Sequence, residues 1–424
     1  MAADSETTTL GNGLRVLTAS IPTAQAASIA FFVGIGSRGE RPRTSGLSHY
    51  IEHMLFKGTQ RRPTAPEISE AIEGAGGQLN AYTTHELTCY WNNVPFEALE
   101  IGIDVVADTL QHSLLDAGEI DRERTVVQQE LRRTHDNPAA WVGELMGRAV
   151  FGDQPVGWPV GGTLETVEAL QRPDFIEHMT AHYTAQNSVL AVSGNVEHER
   201  VVDLATHHFS TLASGVAPAA AGATQGLPDE HVIVEEREIE QTNVALSMQA
   251  LARRDPDRYA LEIMNAVLGR GMSSRLFKEV RERRGLAYSI SSGSHLLRDI
   301  GTLTVSAGVT GEHQEEALEV IVAELRRLAS EPVGDDELRR AIDFIAGGVR
   351  LSQETARAVG QRNGGQLIMD GELESIEVTV AALRAVTADD VQQVAQRVIG
   401  PGDFALAVVG PSASTDRLDA ILSG

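Results

Sequence analysis

The sequence predicts an α+β protein of two tandem, homologous domains, each a largely antiparallel sheet covered on one face by helices. Three observations predict it. Residues 213–228 (ASGVAPAAAGATQGLP) are uncharged and rich in Ala, Gly and Pro, the composition of a linker. The stretches on either side repeat one order of elements. Within each, strands and helices mix without the regular alternation that builds a parallel sheet. The expected layout is a first domain over 1–212, the linker over 213–228 and a second domain over 229–424.

Each half opens on apolar strands, Ala27–Ile35 in the first and Val244–Leu251 in the second. The uncharged run from Val16 to Ser37 contains Pro22, Gly34 and Gly36, so it reads as two strands and not as a membrane span. A helix introduced by glycine comes next, GLSHYIEHML from Gly46 and GMSSRLFKEV from Gly271. Superposing these two segments sets Ser274 opposite His49, Phe277 opposite Glu52 and Lys278 opposite His53. Each half then carries a long polar helix, GEIDRERTVVQQELRR from Gly118 and GDDELRRAIDFIAGGVR from Gly334. Each closes on an apolar strand, SVLAVSG ending at Gly194 and DFALAVVG ending at Gly410.

Composition narrows the function. With 424 residues, 42% of them hydrophobic, the chain can bury two cores of ordinary size. Its single cysteine, Cys89, permits no internal disulfide and no cysteine-cluster metal site, which fits a reducing compartment. The opening MAADSETTTLGNG has neither a basic n-region nor an apolar h-region. A cytoplasmic protein without a membrane span is expected. The net charge of −24 argues against nucleic-acid binding, which needs a basic surface. Such acidity serves solubility, or attracts basic peptides.

The chemical signal is His49-Tyr50-Ile51-Glu52-His53. Leu47, Ile51, Met54 and Leu55 recur at helical spacing and should be buried. Histidines at i and i+4 leave one helix face together and can take two corners of a zinc tetrahedron. Glu52 is placed to act as general base on a metal-activated water. A third ligand must come from elsewhere. The helix around Glu119–Arg133 offers Glu119, Glu123 and Glu130 near one face. The competing reading is a solvated face on which these acids pair with Arg122, Arg124, Arg132 and Arg133. A second i, i+4 pair, His178 and His182 on the helix Pro173–Tyr183, has no carboxylate between its members and reads as structural. His207 and His208 are adjacent and read as surface residues.

Together with GGQLNAYTTHELTCYW, GMSSRLFKEVRERRGLAYS and the Glu-rich helix, the motif resembles the pitrilysin-type zinc peptidases, or inverzincins. The resemblance is specifically to the short bacterial members similar to the β subunit of mitochondrial processing peptidase. The resemblance implies a Zn2+ cofactor held by His49, His53 and Glu130, since the family's spacing of 77 leads from His53 to Glu130. It implies that Glu123, seven residues earlier, backs the ligands. It implies a substrate-pairing edge strand at Asn80-Ala81, and an Arg281/Tyr288 pair that holds the substrate backbone and faces the oxyanion. The function implied is hydrolysis of extended, unfolded peptides inside a chamber closed by a homodimer, with Arg281 and Tyr288 given to the partner's site. The alternatives are a non-catalytic scaffold and a subunit active only with a partner chain. Scaffold-type members lose the zinc residues, and this chain keeps them.

Overall fold

In the computed structural model, residues 4–411 and 414–423 are described. The first half runs β1 (Asp4–Thr9), β2 (Arg15–Ser20), β3 (Ala26–Val33), α1 (Leu47–Met54), α2 (Ala65–Glu73), β4 (Gln78–Thr83), β5 (Thr88–Pro95), α3 (Leu99–His112), α4 (Ala117–Asp136), α5 (Pro138–Phe151), α6 (Leu164–Ala169), α7 (Arg172–His182), β6 (Ser188–Gly194) and α8 (His198–His208). The second runs β7 (Val232–Glu236), β8 (Gln241–Ala250), α9 (Arg258–Gly269), a π-helical segment Phe277–Arg283, β9 (Ala287–Leu296), β10 (Gly301–Thr310), α10 (Gln314–Ser330), α11 (Asp335–Leu351), α12 (Ala356–Asp370), α13 (Ile376–Ala385), α14 (Ala388–Val398), β11 (Ala405–Gly410) and α15 (Thr415–Ser423).

The α+β expectation holds, and the repeat is explicit in the topology. The first sheet has the order β1-β2-β6-β3-β5-β4 and the second β7-β11-β8-β10-β9. Without the extra edge strand β1, both follow one pattern, with the last strand inserted parallel to the first. All other neighbours are antiparallel.

The same pattern corrects the superposition of GLSHYIEHML on GMSSRLFKEV. In chain order β3–α1–α2–β4 answers β8–α9–(277–283)–β9. The 277–283 turn, leading directly into the edge strand, is therefore the counterpart of α2. The counterpart of α1 is α9, RYALEIMNAVLG, which contains no histidine. The conclusion that the second copy lacks the ligands survives on different residues. Sequence similarity had drawn together two glycine-preceded helices that occupy successive places in the fold.

Two compact units form, and each takes one segment from the other half of the chain. The first comprises residues 1–131, 159–221 and 351–374, the second 132–158, 222–350 and 375–424. In the first, α1, α3 and α8 bury one face of the sheet against Phe31, Leu190 and Val192. The opposite face, with Leu17, Ala30, Phe32 and Ala191, is covered by Leu367 and Ile368 of α12. An added Cβ at Gly364 would lie 2.2 Å from the Phe32 ring, and one at Gly360 2.4 Å from Ser193 Oγ, so these glycines set how closely α12 approaches. In the second unit α5 covers Ala245, Ala405, Ala407 and Val409 with Val142, Met146 and Val150. Helices therefore lie on both faces of each sheet, and not on one face as the sequence predicts. That is why AFFV and VLAV read as unbroken apolar runs instead of alternating ones. Among the described residues no helix is long and apolar enough to cross a membrane.

Candidate metal centre

Helix α1 is built as its periodicity requires. Leu47, Ile51, Met54 and Leu55 are all buried. Gly46 starts the helix at φ +92°, and a Cβ there would meet the Gly161 carbonyl oxygen at 2.4 Å, so only glycine fits. The first amides are satisfied by Glu40, whose carboxyl accepts from Gly46 N at 2.7 Å and Ser48 N at 2.6 Å. Burial pushes the Glu40 carboxyl up to about 8, against the pull of those donors. Tyr50, on the buried face, donates its hydroxyl to the Ile120 carbonyl and so fixes α1 against α4.

That docking brings His49, His53 and Glu130 together. The two Nε2 atoms are 3.3 Å apart, and Glu130 Oε2 lies 3.4 Å from His53 Nε2 and 3.8 Å from His49 Nε2. Ligands at about 2.0–2.1 Å from a tetrahedral zinc ion stand about 3.3–3.5 Å from one another, so this donor set fits the metal. Among the described residues it is the only group of three or more His, Cys, Asp or Glu side chains so convergent. Burial and the neighbouring His53 pull His49 down to about 4, so near neutral pH it is a neutral imidazole with one ring nitrogen free to bind a metal. For His53 burial acts downward too, but the bond to Glu123 and the charges of Glu130 and Glu52 prevail and raise it.

Of the three glutamates on α4, only Glu130 reaches the donor cluster. Glu123 is buried and its Oε1 accepts from His53 Nδ1 at 2.9 Å. Burial pushes the Glu123 carboxyl up, but the bonds to His53 and Lys57 outweigh it and hold it below the ordinary range. Glu119 lies away from the site, accepting from Arg122 Nε at 3.2 Å. The solvated-face reading was thus correct for one acid in three. Glu52 follows on α1, its carboxyl raised chiefly by burial, with Thr83 of β4 donating to Oε2 at 2.6 Å. Thr83 was missed in the sequence. Its signal was its place in the same segment, QLNAYT, as Asn80 and Ala81.

Asn80 and Ala81 sit on β4, an edge of the first sheet, where Asn80 Oδ1 accepts from Ala81 N at 2.8 Å. Arg281 and Tyr288 belong to the second unit. Tyr288, the second residue of edge strand β9, has 82% of its surface exposed, which excludes a core role, and the Arg281 guanidinium lies 5.6 Å from its ring centre. His178 and His182 are buried, with His178 Nε2 3.4 Å from Ser48 Oγ of α1. His208 is not the surface residue expected: it is largely buried, with Nδ1 3.3 Å from Asp104 Oδ1, because the last turn of α8 packs against α3.

Known proteins match this arrangement along nearly the whole chain. Residues 15–164 match the family model described as insulinase (peptidase family M16), and residues 169–344 the model described as the peptidase M16 inactive domain. An uncharacterized zinc protease of Streptomyces coelicolor is 38% identical over 95% of this chain and 89% of its own length. Similar proteins of the same description occur in Mycobacterium leprae, at 36% identity over 97% and 93%, and Bacillus subtilis, at 33% over 95% and 98%. Among solved structures, a protease from Helicobacter pylori superposes with a TM-score of 0.90 at 24% identity, covering 97% of this chain and all of that one. A chain of complex III2 from Candida albicans superposes at 0.85 and 19% identity, covering 98% and 99%.

Proposed function

The chain belongs to peptidase family M16, and from that premise we propose that it is a zinc-dependent endopeptidase hydrolysing extended, unfolded peptides. The observation that carries the reading is the convergence of His49 Nε2, His53 Nε2 and Glu130 Oε2 within 4.8 Å of one another, next to Glu52. The cofactor is Zn2+, in keeping with the relatives named zinc proteases. When bound, zinc supplies a Lewis acid that acidifies water and polarises the scissile carbonyl.

The chain's own residues supply the rest. His49, His53 and Glu130 hold the ion. Glu52, raised by burial and steadied by Thr83, takes a proton from the attacking water and passes it to the departing amine. Edge strand β4, at Asn80-Ala81, offers backbone donors and acceptors to an extended substrate, a mode largely indifferent to side chains. Tyr288 donates to the developing oxyanion, and Arg281 holds the substrate backbone, each serving the site of a partner copy in a homodimer that closes the chamber. We assign the metal-bearing half to 1–212 and the ligand-free repeat to 229–424, joined by 213–228, and place the protein in the cytoplasm.

Purified protein should hold about one zinc per chain and cleave a quenched, unstructured peptide unaided. Zinc without cleavage would mark a subunit that needs another chain. Neither zinc nor cleavage would mark a scaffold.

A further inference from the structure

We propose that Lys57 is a positioning residue of the metal centre, acting through Glu123 on His53; the inference rests on the zinc reading above. Lys57 lies four residues beyond His53, in the turn that follows α1. Its ammonium is 2.6 Å from Glu123 Oε2, while Glu123 Oε1 is 2.9 Å from His53 Nδ1. One carboxylate thus bridges a fixed cation and a ligand imidazole.

The geometry makes that bridge directional. The Glu123 side chain is only 7% exposed, so each oxygen needs a partner within the protein. The terminal torsion of a glutamate is soft, and a single bond to His53 would leave the carboxylate free to turn. With Oε2 held by Lys57, Oε1 stays on Nδ1. His53 then donates from Nδ1 and keeps its Nε2 lone pair for the metal. The same ion pair balances a carboxylate that would otherwise lie buried without a counter-charge. The other histidine has no such support, because His49 Nδ1 is buried with no partner in the protein. The alignment that α1 and α4 give this pair is therefore locked at His53, and Lys57 is the outer end of the lock.

Lys57 is also replaceable without a hole in the core. It lines an open pocket of about 380 Å3 with Pro63, Leu114, Asp116, Glu119 and Arg172. Shortening or neutralising its tip leaves α1 packed as before.

The test is zinc affinity of the full chain, stripped of metal and titrated against a chromophoric chelator. Lys57→Met should weaken zinc binding by about 10- to 100-fold, the range of outer-sphere partners. The metal-free protein should still fold, with a lowered melting temperature because Glu123 loses its counter-charge, and Lys57→Arg should recover most of that loss. Lys57→Arg should restore most of the affinity. In a Glu123→Gln background, Lys57→Met should cost no more than about twofold, because residues acting in series do not add. Wild-type affinity in Lys57→Met overturns the proposal. So do an arginine variant as weak as the methionine one, a full additional loss in the Glu123→Gln background, or unfolding of both metal-free Lys57 variants. His53→Ala serves as control: if it retains zinc, the metal assignment itself fails, a result separate from any obtained at Lys57.

Discussion

Thr83 Oγ1 donates to Glu52 Oε2 across 2.6 Å, joining the residue proposed as general base to the strand proposed to receive the substrate. A hydrogen bond at one oxygen narrows the directions in which the other points without locking it, and proton transfer depends steeply on that direction. Thr83→Val removes the donor at nearly constant shape. We predict a fall in kcat of about tenfold with little change in KM, the signature of an interaction that matters in the transition state. A variant that loses KM alone would assign Thr83 to substrate binding.

Glu52→Gln keeps the volume of Glu52 and removes its basicity. Zinc should be retained, because the three donors do not include Glu52. Turnover should fall by at least about 100-fold. Near-normal turnover would show that another group accepts the proton.

Glu40 predicts a pH dependence of stability. Burial raises its carboxyl from 4.5 to about 8, so the folded chain holds this proton more tightly than the unfolded one. A raised carboxyl favours the folded state below the unfolded value and loses that advantage as pH climbs toward 8. The melting temperature of metal-free protein should therefore decline between pH 5 and pH 8 through this group. Glu40→Gln should flatten the slope, whatever it does to the level at any one pH. An unchanged slope would mean that Glu40 stays ionised, held by the amides of Gly46 and Ser48.

The charge of −24 predicts a substrate preference. Basic versions of one unstructured peptide should be cleaved with a higher kcat/KM than acidic versions, and added salt should narrow the gap. Equal rates at low salt would leave the acidity as a matter of solubility.

The composite site is tested by mixing. Glu52→Gln and Tyr288→Phe chains should each be poorly active alone. Heterodimers would carry one intact and one doubly damaged site, so random exchange should restore about a quarter of wild-type activity. Demonstrated exchange without recovery would place Tyr288 in the site of its own chain. If Tyr288→Phe alone is fully active, the oxyanion role fails and Arg281→Ala takes its place in the mixture.

What the sequence determined by itself was local. A helical repeat of 3.6 residues puts His49 and His53 on one face and Leu47, Ile51 and Met54 on another, whatever surrounds them. The Ala-, Gly- and Pro-rich stretch and the recurring elements likewise exposed the two halves. Glu123 and Glu130 came from the resemblance, since periodicity alone left Glu119 equally eligible. Tertiary structure decided which acid meets which histidine, because the Tyr50–Ile120 bond and the packing of α1 on α4 set the rotation of one helix against the other. It alone brought Thr83 to Glu52 and Lys57 to Glu123, pairs 31 and 66 residues apart whose members carry no pattern linking them. It also placed α5 and α12 on sheets of the opposite half, where the unbroken apolar runs of β3 and β6 had already recorded that a second face would be buried but not by what. Periodicity is a property of one element's backbone. Partnership between elements depends on how several surfaces exclude water together, which no stretch of sequence states alone.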